Sequence, residues 1–475
     1  MGGVPAGLRP SLQGTAVRTG WRCGFRRYVQ AGRMMRQTRR GRQRGTVLIV
    51  AMWIVVVLSG LVLAFARTMR VEAQAAANRL AQQQAEWIAR GALSFVLSQV
   101  DGTDGTLRPA EGISCEAVPL GSGWFWLLLP DPEDPTTLRY GISDEAAKLN
   151  LNAVPIEMMV CLPGMTDECA AAIADWRSPD TAASPGGAKS EYYLLLSPPY
   201  LCKSGPLETV EELLLVKGAT LELLFGADAN RNGALDPQER AAGIQTSRGI
   251  FPFVTVYSSE ANVAAGDSLI DVNSTATTDL VRLLQATVEP GRLFSVLERV
   301  RRGRPFRNLI DFYVRSGLTI DEFKQIAGRL TAGQRARTTG LVNVATAPAE
   351  VLSCVPGLEA ADVNALIAAR SAQTADLSTI AWVAEALPPN KAVEAADWMT
   401  VRSFQFSADI LAVSGDGRAF RRYRTVVDAR TSPPRVLQWQ DLTGLGWPLD
   451  RGILTGLRRG ERLEQGMTVV TAGGS

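Results

Sequence analysis

The sequence predicts an α+β fold: a long N-terminal helix packed on one antiparallel sheet, with a large, mostly helical domain inserted between the strands of that sheet. Three observations predict it. An uncharged apolar run, 46–66, continues without proline into a stretch of helix-forming residues. Strand-like segments occur before residue 146 and again after 402, but not between. The block that separates them, 146–402, repeats itself.

Residues 1–45 contain eleven Arg and no Asp, Glu or Lys. They read as a basic cytoplasmic leader, because positive charge on one flank of an apolar segment keeps that flank inside. The run from Thr46 to Ala66 would span about 31 Å as a helix, the thickness of a bilayer core. It is too long for a secretory signal, whose small-residue cleavage site follows the apolar core, and the candidate cleavage site here, Arg44-Gly45, lies before the helix. From Arg67 to about Val100 there is no Pro, and Leu80, Trp87, Ile88, Leu93, Val96 and Leu97 form a rough helical stripe. Asp101-Gly102 ends the helix.

Trp124–Pro130 and Thr137–Ile142 read as strands that open the sheet within 101–145. Within 403–450, Ser403–Ser414 and Ala419–Ala429 flank Gly415-Asp416-Gly417, a hairpin signal, and Val436–Gln440 adds a further strand. Residues 451–475 lack periodicity and read as a flexible tail.

Inside 146–402, the segment Asn150–Met165 aligns with Asn343–Leu358 at a constant offset of 193, and the match runs on to Arg177 and Arg370. Proline at a helix start, then Pro163-Gly164 or Pro356-Gly357 between two apolar helices, describes a helix–hairpin–helix (SAM-like) unit present twice. A second echo pairs Leu207, Val210, Leu213 and Gly218 with Phe306, Leu309, Phe312 and Gly317. Cys161 and Cys354 share one repeat position and read as free, buried thiols. A disulfide among Cys115, Cys161, Cys169 and Cys202 stays open.

Composition narrows the function. With no His, Ser-His-Asp and Cys-His catalysis and histidine-ligated metals are excluded, and no recognisable motif frames an Asp/Glu pair, so no enzyme is expected. Beyond the leader the chain holds 39 basic and 47 acidic residues, a net charge of −8. The alternative function is a membrane-anchored protein for DNA uptake or tethering through its hairpins. An acidic body, hairpins that lack the second glycine and Glu359 beside one of them argue against it.

The strongest chemical motif is Asp228-Ala-Asn230-Arg-Asn232-Gly233-Ala234-Leu-Asp236-Pro-Gln-Glu239, which fits the twelve-residue calcium loop at every defined position. Ca²⁺ takes six to eight hard oxygens. Asp228, Asn230 and Asn232 offer side-chain oxygens, Ala234 its carbonyl, Asp236 a water-mediated contact and Glu239 both carboxylate oxygens. The single loop, with a weak exiting helix, predicts a structural calcium site.

The basic leader, the apolar helix and its continuation together resemble the type IV pilins and pseudopilins. That resemblance implies cleavage by a prepilin peptidase between Gly45 and Thr46, and N-methylation of Thr46. Most relatives carry Glu at the fifth mature position, where it pairs with a neighbouring subunit's amino terminus; here that position is Val50. With Tyr140–Asn152, Glu208–Gly218 and the calcium loop, residues 34–440 look like the minor pseudopilin K family of the type II secretion system. The leader is longer than the family's, and initiation at Met34 or Met35 would restore its length. The resemblance implies a pilin-like fold with an inserted helical domain and bound calcium. It also implies an inner-membrane location with one span, a cytoplasmic N-terminus and a periplasmic bulk. The expected partners are other minor pseudopilins, inner-membrane components of the secretion system, prepilin peptidase and membrane lipid, with no nucleic acid. The expected role is to start and cap the periplasmic pseudopilus that exports folded proteins.

Overall fold

The computed structural model describes residues 46–107, 115–241, 247–261, 263–264, 267–333, 337–372, 376–461 and 463. The leader and Gly45 lie outside them. The chain divides into two compact units, Met1–Val71 and Glu72–Ser475. Within the first, the helix Thr46–Val100 begins with residues exposed on every side, Val47 to Phe65 included. It is the one described helix long and apolar enough to cross a membrane.

In the second unit the same helix changes character. Ala81, Ala85, Ile88, Ala89, Ala92, Val96 and Val100 are buried, a stripe with three- and four-residue spacing. Four of the seven are alanines, which lets the helix lie close on the sheet. The Tyr423 hydroxyl donates to Glu86 at 2.5 Å, and Arg421 and Arg90 also pair with that carboxylate.

The sheet runs Val118–Leu120, Gly123–Pro130, Gln405–Val413, Phe420–Asp428, Arg435–Asp441, antiparallel throughout, with Leu138–Tyr140 on Gly123–Pro130 and Ser143–Asp144 on Gln405–Val413. Its central strand, Gln405–Val413, is buried along its whole length. Phe125, Leu127, Phe406, Ala408 and Ile410 meet the helix stripe on one face. Trp126, Leu128, Leu411 and Val413 meet Leu454 and Leu457 on the other. Those two leucines belong to a helix, Arg451–Arg458, whose Asp450 caps its first turn. The flexible tail expected from 451 therefore begins with a helix that buries apolar side chains. Ile453, Leu454 and Leu457 form one apolar side of this short helix, and burial against Trp126 and Leu411 orders a segment that its two glycines, Gly452 and Gly456, would leave unstable alone.

Between the two groups of strands the chain forms three like units, each opened and closed by a two-residue parallel ladder. Leu149-Asn150 pairs with Val254-Thr255, Ile270-Asp271 with Leu330-Thr331, and Val342-Asn343 with Met399-Thr400. The next amide in each, from Leu151, Val272 and Val344, donates to the carbonyl of Thr255, Thr331 and Thr400. The side-chain oxygens of Asn150, Asp271 and Asn343 each accept the amide two residues on. The threonines do the same at the closing end. In the first unit, Asn152 and Leu207 exchange two hydrogen bonds; in the second, Asn273 and Phe306 do so. Arg177 donates to the carbonyls of Leu151 and Val154, and Arg370 to those of Val344 and Ala347, the same pair 193 positions on.

Asp144 and Glu145 join this block to the sheet. Asp144 accepts from Ser403, Thr346, Asn343 and the Ala146 amide, at 2.6–2.9 Å. Burial pushes its carboxyl above the usual range against those four donors. Glu145, paired with Lys148, accepts from Thr255 of the first unit and Ser407 of the central strand. The five described cysteines are free thiols, and Cys161 is exposed where a buried thiol was expected.

Candidate metal centre

Thr220 caps the helix Leu221–Phe225, accepting from the Leu223 amide at 3.1 Å, and Gly226 at φ 58° turns the chain into the loop. The six expected ligand residues lie on one coil of backbone. Asp228 is 4% exposed and accepts the amides of Asn232 (3.1 Å) and Gly233 (2.7 Å). The side-chain Oδ1 atoms of Asn230 and Asn232 accept the backbone amides of Asn232 and Ala234. Glu239 spends Oε1 on the amides of Ala229 and Asn230 and Oε2 on that of Asp236. Asp236 in turn caps the short helix Pro237–Ala241 through the amides of Gln238 and Glu239.

Gly233 is needed twice. Its φ of 85° is left-handed, and a Cβ there would stand 2.2 Å from Cγ of Pro130. Leu235, 2% exposed, packs inward, and its amide donates to the Pro135 carbonyl.

Two residues that the motif does not contain hold the loop against the sheet. Arg422, fully buried, donates to the carbonyls of Asn230 (2.5 Å) and Arg231 (2.8 Å). It is itself held by Asp409 at 2.6 and 2.8 Å, and Arg424 adds a bond to each partner. Burial opposes charge on Asp409, but the two guanidinium groups hold its carboxyl below the usual range. The Asn232 amide group reaches the Pro448 carbonyl at 2.8 Å. A charged residue at an inward strand position was the only sequence signal for this clamp, and it has no fixed partner spacing.

The charge balance inside the loop suits a cation. Burial first, then the neighbouring Glu239 carboxylate, push Asp228 up to about 6. A divalent ion would offset both effects, and the donors present are hard oxygens throughout. Among the described residues no three His, Cys, Asp or Glu side chains gather as a metal cluster. The loop's set draws instead on two asparagines and a backbone carbonyl, with Glu239 turned to amides.

The other sequence-derived positions lie elsewhere. Thr46 is the first residue of the long helix and Val50, 56% exposed, stands one turn on, whereas Gly45 falls outside the described residues. The hairpin glycines Gly164 and Gly357 are left-handed at φ 73° and 83°. Beyond them the helix starts are already capped: Thr166 accepts the Cys169 amide, and Glu359 forms a capping box with Asp362 and pairs with Lys391. A carboxylate at that helix start leaves no amide cradle for a phosphate.

No curated protein matches the chain. Among solved structures it is similar to the GspK-GspI-GspJ complex of the enterotoxigenic Escherichia coli type 2 secretion system. That similarity has 14% identity and a TM-score of 0.36, and covers 78% of this chain and 99% of that one. The family model described as type II secretion system (T2SS), protein K, matches residues 147–225, from just past the Asp144-Glu145 junction, through the Pro163-Gly164 turn, to the helix that leads into the loop. Residues 147–225 are thus similar to the type II secretion system protein K family.

Proposed function

We propose that this chain is the minor pseudopilin that starts and caps the periplasmic pseudopilus, a non-enzymatic role in export of folded proteins across the outer membrane. The observation that carries it is the combination of a helix built for the membrane, a sheet packed on the continuation of that helix, and a block of three units interposed between the sheet's strands. This is a pilin-like plan with helix–hairpin–helix units inserted. Val50 in place of a carboxylate leaves nothing to neutralise the amino terminus of a subunit above, and a lone charge in lipid is costly. The inserted bulk allows subunits below. The decisive experiment deletes 146–402 and bridges the ends with a short linker. Longer or misplaced filaments and failed secretion support the cap, whereas unchanged filament length and secretion would refute it.

The same reading places the helix in the inner membrane with its N-terminus cytoplasmic, gives cleavage by prepilin peptidase after Gly45, and methylates Thr46. Mass spectrometry of the mature chain tests it: a first residue other than methylated Thr46 would leave only a signal anchor. The Escherichia coli protein K stands in a complex with GspI and GspJ, and partners of that class, two smaller minor pseudopilins, are proposed here.

Calcium would be held by Asp228, Asn230, Asn232, the Ala234 carbonyl, Asp236 and Glu239. It would supply positive charge that fixes the loop between the first unit and the sheet, with no chemical step. Calorimetric titration with Ca²⁺ tests it, and Glu239→Gln, which keeps the shape and removes the charge, should weaken binding at least tenfold. Equal heats for both proteins would sink the assignment.

A further inference from the structure

The metal loop has little at its own ends to shape it. The helices on either side, Leu221–Phe225 and Pro237–Ala241, are five residues each, too short to hold a fixed geometry alone. Within the loop, Arg231 stands at a left-handed φ of 55°, which a residue with a side chain keeps only where its surroundings over-determine it. Those surroundings are the sheet. Arg422, on the strand Phe420–Asp428, gives Nη1 to the Asn230 carbonyl (2.5 Å) and Nη2 to the Arg231 carbonyl (2.8 Å). Its Nε and Nη2 are held by the two carboxylate oxygens of Asp409 on the neighbouring strand. Arg424, cross-strand from Asp409, adds a bond to the same Arg231 carbonyl at 2.8 Å. The two anchored carbonyls lie outside the expected ligand set, but they belong to the stretch that carries Asn230 and Asn232, which are in it. At the other end of the coil, the Leu235 amide donates at 2.8 Å to Pro135, between the strands Gly123–Pro130 and Leu138–Tyr140.

We propose that Arg422, fixed by Asp409, is a positioning residue for calcium: the sheet, and not the loop's own helices, sets how tightly 228–239 holds the ion. The proposal rests on the reading that this loop binds calcium. Arginine suits the task because its donors form a rigid fork. The Nε–Nη2 edge takes Asp409, while Nη1 and the second hydrogen of Nη2 reach the two carbonyls. A lysine ammonium could pair with Asp409 but has no fork to span the carboxylate and both carbonyls. A cation close to a cation site would ordinarily weaken it. Asp409 offsets the charge of Arg422, so that Arg422 acts by geometry. With the coil fixed before the ion arrives, less of the binding free energy goes into ordering it. The coupling is reciprocal: calcium must strengthen the loop's hold on the sheet by the factor by which that hold strengthens calcium binding.

The test titrates Ca²⁺ into the full chain in detergent by calorimetry, and melts each protein in chelator. Arg422→Lys keeps a charge against Asp409 and should fold. Asp409→Leu combined with Arg422→Met removes the pair together, so that no lone charge is buried. Both should raise the calcium dissociation constant roughly 10–100-fold. Arg177→Ala is the control, because Arg177 lies in the same unit and bonds to Leu151 and Val154, not to the loop. It should lower the melting temperature in chelator and leave the calcium affinity unchanged. Wild-type affinity in a folded clamp variant, or an equal weakening in Arg177→Ala, would overturn the proposal. A wild-type chain that takes up no calcium defeats the metal reading alone, and hydrogen exchange at the amides of 228–239 in the metal-free chain then decides. Faster exchange in Arg422→Lys than in the wild type and Arg177→Ala upholds the positioning role, and equal rates overturn it.

Discussion

The first and third units of the helical block share a frame yet differ in what they carry. Both open on an Asn-bearing ladder strand, both turn at Pro-Gly, and both fix the turn by an arginine, Arg177 or Arg370, that donates to two backbone carbonyls. The third unit returns directly from the helix Pro389–Ala395 to its closing strand, Met399-Thr400. The first instead places the whole candidate calcium loop between the helix Leu221–Phe225 and its closing strand, Val254-Thr255. The frame is thus a support that tolerates insertion where the chain returns, and the candidate metal loop is confined to the copy that lies against the sheet through Arg422.

That contrast can be broken in graded steps. The largest effect should come from Asp409→Ala, which strips the fully buried Arg422 of its counter-charge and leaves the loop without its clamp. A loss of about 3–5 kcal/mol in urea unfolding is expected. Removing calcium should come next. With free ion at about 100 times its dissociation constant, a chelator should remove about 2.7 kcal/mol of stability. It should also raise hydrogen exchange at the amides of 228–239 and leave the third unit unchanged. Arg177→Ala and Arg370→Ala should each cost about 1–3 kcal/mol, because each leaves two carbonyls without their donor. Equal losses would show the frame to be shared in energy as well as in form, and a loss in one alone would restrict it to that unit. The smallest effect should be Arg282→Ala in the middle unit, an exposed pair with Asp279, which should stay within about 0.5 kcal/mol of wild type.

Where a period or a motif had room to repeat, the sequence was readable. The 55-residue helix, the strands Gln405–Val413 and Phe420–Asp428, and the loop's backbone coil all follow from patterns at least seven residues long. The first and third units could be matched because their Pro-Gly hairpins stand at equal distance from Asn150 and Asn343. The middle unit went unmatched at its ladder. Asp271 replaces the asparagine, and two longer helices, Thr278–Thr287 and Pro290–Gly303, join through Val288-Glu289, so that Pro290-Gly291 lies within the second helix instead of at a turn. Two-residue strands leave no alternation to read. The Arg422–Asp409 clamp is a tertiary match between a strand and a distant loop, which no local spacing encodes. The helix Arg451–Arg458 owes its order to the sheet face that it covers.

The parallel ladders carry one more implication. Because the first and last residues of each unit are hydrogen-bonded neighbours, the chain leaves each unit beside the point at which it arrived. A unit could be gained or lost in the history of such a protein with little displacement of its surroundings, as a bead is added to a string. Size in this family would then be a heritable variable separable from the helix and sheet beneath it. Chains with two or four ladders on the same base would be its expected kin.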